Sequence, residues 1–114
     1  MTLATRDIRS LTVELAAADA RDRDLAASKV SDMISESLDG ELAGSLARVL
    51  EVVMALEEDE TALNSQLNAL SELSSFGLVP RDVIARVVAS RDWGFRWATD
   101  FIEGLTDDLP YAPE

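Results

Sequence analysis

The chain has 114 residues and a formal net charge of −12, from 22 acidic residues against ten basic ones, and it contains neither cysteine nor histidine. That composition excludes disulfides, thiolate or imidazole metal sites and cysteine nucleophiles, and the charge repels nucleic-acid phosphates and anionic membrane surfaces. The length suits one domain built around one core.

The opening residues, MTLATRDIRSL, carry Arg6, Asp7 and Arg9 where a secretory signal needs an unbroken apolar run. No stretch approaches the roughly 18 apolar residues of a membrane span. The expectation is a soluble, cytoplasmic protein with residues 1–106 as a single all-helical domain and 107–114 as an extended acidic, proline-containing tail.

Helix one is predicted from Thr5 to Ala18, with Ile8, Leu11 and Leu15 forming a narrow stripe and Arg6, Arg9 and Glu14 facing outward. The cluster Asp19, Arg21, Asp22, Arg23 and Asp24 reads as the turn into helix two. There Leu25, Ala26, Val30, Met33, Ile34 and Leu38 recur at helical spacing until Asp39 and Gly40 end it. Asp39 suits the N-cap of the next helix, and so short a connection makes helices two and three antiparallel neighbours. Helix three, Leu42 to Leu56, spreads its apolar side chains over about 200° of the helical wheel, which predicts a central position.

Glu57, Glu58, Asp59 and Glu60 favour a helix N-terminus over a C-terminus, so helix four should begin there and run to Ser75. Its face of Leu63, Gln66, Leu67, Leu70 and Leu73 covers an ordinary arc of about 120°. Phe76 and Gly77 close it, Pro80 suits the first turn of helix five, and Val83, Ile84, Val87 and Val88 line that helix's inner face. Ser90, Arg91 and Asp92 turn the chain into helix six, from Asp92 to Leu105, which carries both tryptophans. The prolines of the tail prevent its continuation. No strand pattern occurs.

Leu46-Ala47-Arg48-Val49-Leu50 aligns with Ile84-Ala85-Arg86-Val87-Val88 at an offset of 38, and Ala26, Val30 and Met33 align with Leu63, Leu67 and Leu70 at 37. On this alignment helices two and three, and helices four and five, form two copies of one hairpin. Over residues 22–105 the chain resembles HEAT-like α-helical repeats, a resemblance that implies a partner-binding scaffold without fixed chemistry. The alternative architecture is a closed bundle of five or six helices.

Catalysis would fall to carboxylates, Lys29, Tyr111 or hydroxyls, and none stands in a telling constellation. The Glu-Glu-x-x-Glu magnesium motif of all-helical nucleotide pyrophosphatases fails because Thr61 follows Glu57-Glu58 where the last Glu belongs. Calcium loops and phosphate-cradling glycine loops are absent, and Arg81, Arg86, Arg91 and Arg96 do not form a stripe. No catalytic residue, metal site or cofactor is expected.

Acidity and the lack of chemistry point to a non-enzymatic protein-binding module, and within that class to an immunity- or antitoxin-like inhibitor of a basic partner such as a nuclease. A nucleic-acid mimic or transcription regulator acting by carboxylate display, and a carboxylate-dependent metal or nucleotide enzyme, are the alternatives. The candidate partner-binding residues are Glu57, Glu58, Asp59 and Glu60 on the acidic turn, and Trp93, Trp97, Asp100 and Glu103 on the last helix. The aromatic face of that helix also offers a homodimer seam.

Overall fold

The computed structural model describes residues 5–34, 40–90 and 96–107, which form six helices and no strand. They are α1 (Thr5–Leu15), α2 (Ala20–Met33), α3 (Gly40–Leu56), α4 (Glu60–Ser75), α5 (Arg81–Ala89) and α6 (Arg96–Asp107). None of them is long and apolar enough to cross a membrane.

Capping sets the boundaries. The amides of Ala16 and Ala17 bond back to Val13 and Glu14 at 3.1 Å, tightening and ending α1 three residues before the expected Ala18. Asp19 then caps α2, its Oδ1 accepting from the Arg21 amide at 2.9 Å, so the charged run expected to be a turn is instead the helix's first turn and a half. At the other end the extended backbone of Ile34 stops α2. The expected continuation to Leu38 and the cap at Asp39 lie outside the described residues.

Helix α4 has the bounds its sequence predicts. Asp59 Oδ2 accepts from the Ala62 amide at 2.9 Å. At the far end Gly77 takes the left-handed φ of 71°, its amide donating to Ser74 and that of Leu78 to Leu73, which satisfies two terminal carbonyls. Pro80 sits one place earlier than expected, as the N-cap of α5, with its carbonyl accepting from Val83 and Ile84.

Packing follows one rule. Helices α1 and α2, α3 and α4, and α5 and α6 pair as hairpins, while α1, α3 and α5 line up in one layer and α2, α4 and α6 in the other. The shortest principal extent, 18 Å, is the thickness of two helix layers. Within a layer neighbours run the same way: Asp24 meets Ser65 while Ser31 meets Asn68, and Arg48 meets Asp82 while Glu51 meets Arg86. Neither helix of the first hairpin packs against either helix of the last among the described residues, so the stack is open and the closed bundle is ruled out. The hairpins are also phased differently from expectation, since α2 does not pack on α3 nor α4 on α5. The three-residue link 57–59 joins α3 to α4 within a hairpin, and the longer links 34–39 and 76–80 connect one hairpin to the next.

The hub differs too. Helix α3 packs against α1, α4 and α5, but it leaves Val52 58 % and Leu56 76 % exposed, so its wide apolar arc is only partly covered. Helix α4 is the more enclosed, held between α2 and α6 and against α3, with Leu63, Leu67, Leu70 and Leu73 buried and Ala62, Gln66, Ala69 and Ser74 buried beside them. Small side chains produce this burial: Ala26 and Ala27 of α2 and Ala62 and Ala69 of α4 have no exposed surface, which lets two backbones approach closely. Hydrophobicity does not weight such residues, and so the sequence points to α3.

Enlarging a buried small residue should therefore cost more than altering the exposed edge of α3. Ala69→Leu is expected to destabilise by about 1–3 kcal/mol through overpacking, and Val52→Ser by less than about 0.5 kcal/mol. Urea unfolding measures both; equal midpoints for the two variants would remove α4 from the centre.

Candidate functional site

The acidic turn 57–60 does not present four free carboxylates. Glu57 is turned inward, its side chain fully buried, and meets the Arg23 guanidinium edge-on: Nε donates to Oε1 at 2.7 Å and Nη2 to Oε2 at 2.8 Å. Gln66 Nε2 donates to the same Oε1 at 2.7 Å, and the Asp59 amide to Oε2 at 3.1 Å. From its other side Arg23 Nη1 donates to the carbonyls of Ala17 and Ala18, both at 2.8 Å. One bidentate pair thus joins the α1–α2 link, α2, the α3–α4 link and α4. Burial alone would raise the Glu57 carboxyl; the hydrogen bonds from Arg23, Gln66 and the Asp59 amide overcome it and hold the pKa at about 2.

Asp59 is engaged as the α4 cap, while its side chain, like those of Glu58 and Glu60, remains at the surface. Of the residues singled out on the last helix, Trp93 lies outside the described residues. Trp97 and Asp100 fall within the backbone of α6, their side chains outside what is described, and Glu103 is exposed. The structure therefore brings together Glu57, Glu58, Asp59 and Glu60, with Glu57 facing in and the others out. Among the described residues no group of three carboxylates is placed to hold a metal ion.

Two surfaces escape the sequence reading. The first surrounds the C-terminal end of α1. A cleft of about 320 Å³ is lined by Leu15, Val52, Val53 and Leu56 together with Arg23, Glu57 and Glu58. A second, of about 490 Å³, is lined by Val13, Leu25, Glu14, Asp22 and Lys29. Ala16 and Ala17 line both, so the clefts adjoin. Val13, Leu25, Val52 and Leu56 are all more than half exposed, an apolar grouping of the kind that marks interaction surfaces. Of the charges there, Arg23 is engaged by Glu57 and Lys29 by Glu14 at 3.3 Å. The side chains of Asp22 and Glu58 have no partner among the described residues, so the unbalanced charge is negative. Val13 stands off the Ile8–Leu11–Leu15 stripe, and that displacement was the available sequence signal.

The second surface is a polar groove of about 360 Å³ between α2 and α4. A separate ion network ties α3 to α5: Arg86 donates to Glu51 at 2.8 and 3.0 Å and to Asp82 at 2.8 Å, and Arg48 donates to Asp82 at 3.1 Å. The Asp82 carboxyl is held below its ordinary value by Arg86 first and Arg48 second.

Compared with protein-family models, curated proteins and solved structures, the chain matches none.

The Glu57 carboxyl ordinarily titrates near 4.5 and is held at about 2 in the fold. A lowered carboxylate pKa contributes stability that is complete above the ordinary value and disappears as pH falls towards the folded one. Glu57→Gln should lower stability at neutral pH by about 3 kcal/mol, near the small end for a broken buried pair because Arg23 retains some contact with water. The gap between parent and variant should close between pH 4.5 and pH 2 in thermal melts. A gap constant across that window would show that the pair does not govern acid stability.

Proposed function

We propose that the protein is a non-enzymatic protein-binding module whose docking surface is the pair of apolar clefts around the C-terminal end of α1. The observation that carries this reading is the concentration of Val13, Leu25, Val52 and Leu56 on one surface whose unpartnered charges, Asp22 and Glu58, are both acidic. Apolar anchors supply affinity, and a net charge of −12 steers a basic partner towards them. Parallel stacking within each layer, with a sequence offset of 37 to 38 between equivalent helices, supports reading the chain as a short HEAT-like array.

Within that class, the partner chemistry fits an immunity- or antitoxin-like inhibitor of a basic enzyme such as a nuclease. A phosphate-receiving surface is basic, and an acidic protein with apolar anchors can cover it without chemistry of its own.

The test compares parent and Leu56→Asp baits in affinity capture from the native host. Leu56 is 76 % exposed, so the variant should keep the parent's melting behaviour. One basic protein should be retained in stoichiometric amount by the parent and lost by the variant, and added parent should suppress its nuclease activity at a one-to-one ratio. Its rate of association should fall as salt rises. Retention by both baits would remove the apolar clefts as the docking surface, and an unsuppressed nuclease would remove inhibition.

A further inference from the structure

The groove between α2 and α4 differs from the rest of the surface in its chemistry. Its α2 wall is Ser28, Ser31 and Asp32, its α4 wall is Asn64, Asn68 and Glu72, and Ser65 lies between. No aliphatic, aromatic or basic side chain lines it. Such a surface gives an amphipathic helix nothing to bury, a sugar ring nothing to stack on, and a nucleic acid only repulsion.

Hydrogen-bonding groups remain available there. Asn64, Ser28 and Asp32 are exposed and make no side-chain hydrogen bond among the described residues. Asn68 Nδ2 donates across the groove to Ser31 Oγ at 3.3 Å and along α4 to Glu72 Oε1 at 3.2 Å, which orients the carboxamide while its oxygen accepts nothing among the described residues. Ser65 is fixed by its hydroxyl bond to Asp24. The α4 wall repeats at i, i+4 and i+8, a rise of about 6 Å per step. An extended peptide advances about 6.6–6.8 Å for every two residues, the interval at which successive main-chain amide and carbonyl pairs face the same side. A free carboxamide such as that of Asn64 carries both donor and acceptor and can answer one such pair, while Asn68, whose two N–H groups are committed to Ser31 and Glu72, offers its oxygen to a main-chain amide. The charge of the walls comes only from Asp32 and Glu72.

We propose that this groove docks an extended peptide segment bearing lysine or arginine, with Asn64 and Asn68 reading its main chain and Asp32 and Glu72 receiving its cationic side chains. The site rests on residues separate from the apolar clefts, so a partner could engage both surfaces or either alone.

The test is a titration of isotope-labelled full-length protein with a capped peptide of alternating lysine and threonine, followed by NMR. The side-chain amide signals of Asn64 and Asn68 should shift and saturate, with little change around Val52 and Leu56. N-methylation of alternate peptide amides, which removes donors but keeps every side chain, should weaken binding about tenfold, the equivalent of one lost hydrogen bond. Asn64→Ala at an exposed position should weaken it by a similar factor without altering the melting temperature. Leu56→Asp should leave the titration unchanged, which separates failure of this site from failure of the apolar one. Equal binding of the methylated peptide, shifts centred on the apolar clefts, no saturable shift, or a matching response to a maltose control would each overturn the proposal.

Discussion

The bidentate contact between Arg23 and Glu57 fixes how the first two hairpins meet. Its six polar contacts reach the end of α1, the start of α2, the link between α3 and α4, and the middle of α4. A charge so enclosed is tolerated only when every strong acceptor site is answered, and here both carboxylate oxygens receive two donors each. Gln66 is the exception that shows the constraint. Its amide nitrogen is committed to Glu57, and its buried oxygen has no partner among the described residues. Orientation of the carboxylate takes precedence over complete satisfaction of the residue that orients it.

Around that anchor, the two layers are held by different means. Between α2 and α4 the contact is close and built from alanines and small polar residues, with hydroxyl and carboxamide bonds along its outer edge. Between α3 and α5 the edge is charged, and in the Glu51–Arg86–Asp82–Arg48 chain all but the half-buried Glu51 are exposed, where screening keeps such pairs weak. The odd layer therefore depends more on its apolar interior, and it is also the layer whose middle helix leaves apolar side chains uncovered. Both proposed surfaces border α2 of the first hairpin, with Asp22 and Leu25 lining one of the apolar clefts and Ser28, Ser31 and Asp32 lining the polar groove.

Elements with local punctuation were legible in the sequence. Asp59 and the Phe76-Gly77 pair bracket α4, and the helical spacing of Val83, Ile84 and Val87 locates α5 through its β-branched run. The start of α2 was obscured because Asp19 looks like one charge among five, and only the geometry at Arg21 distinguishes a cap from a turn. Hairpin phase was obscured because the offset of 37 to 38 relates α2 to α4 and α3 to α5 however the helices are paired. The burial of Glu57 is not legible in the sequence because its partner Arg23 lies 34 residues away, with nothing local to announce it. The polar groove leaves a trace in the sequence, Asn64, Asn68 and Glu72 on one line of α4, but apolar periodicity marks only the buried leucine face and carries no signal for the polar one.

Every packed pair of helices in this stack is separated by at most one intervening helix along the chain. That arrangement keeps the sequence distance between contacting residues short, and chains of low contact order close their loops at little entropic cost and fold quickly. It also permits order in time. The first hairpin and α3 can meet before α5 and α6 have left the ribosome, and α4 can then close over α2 through Glu57 without waiting for the carboxyl-terminal end. A chain assembled in that sequence builds its α1 clefts first, so the surface proposed to meet a partner is complete while synthesis of the last hairpin is still under way.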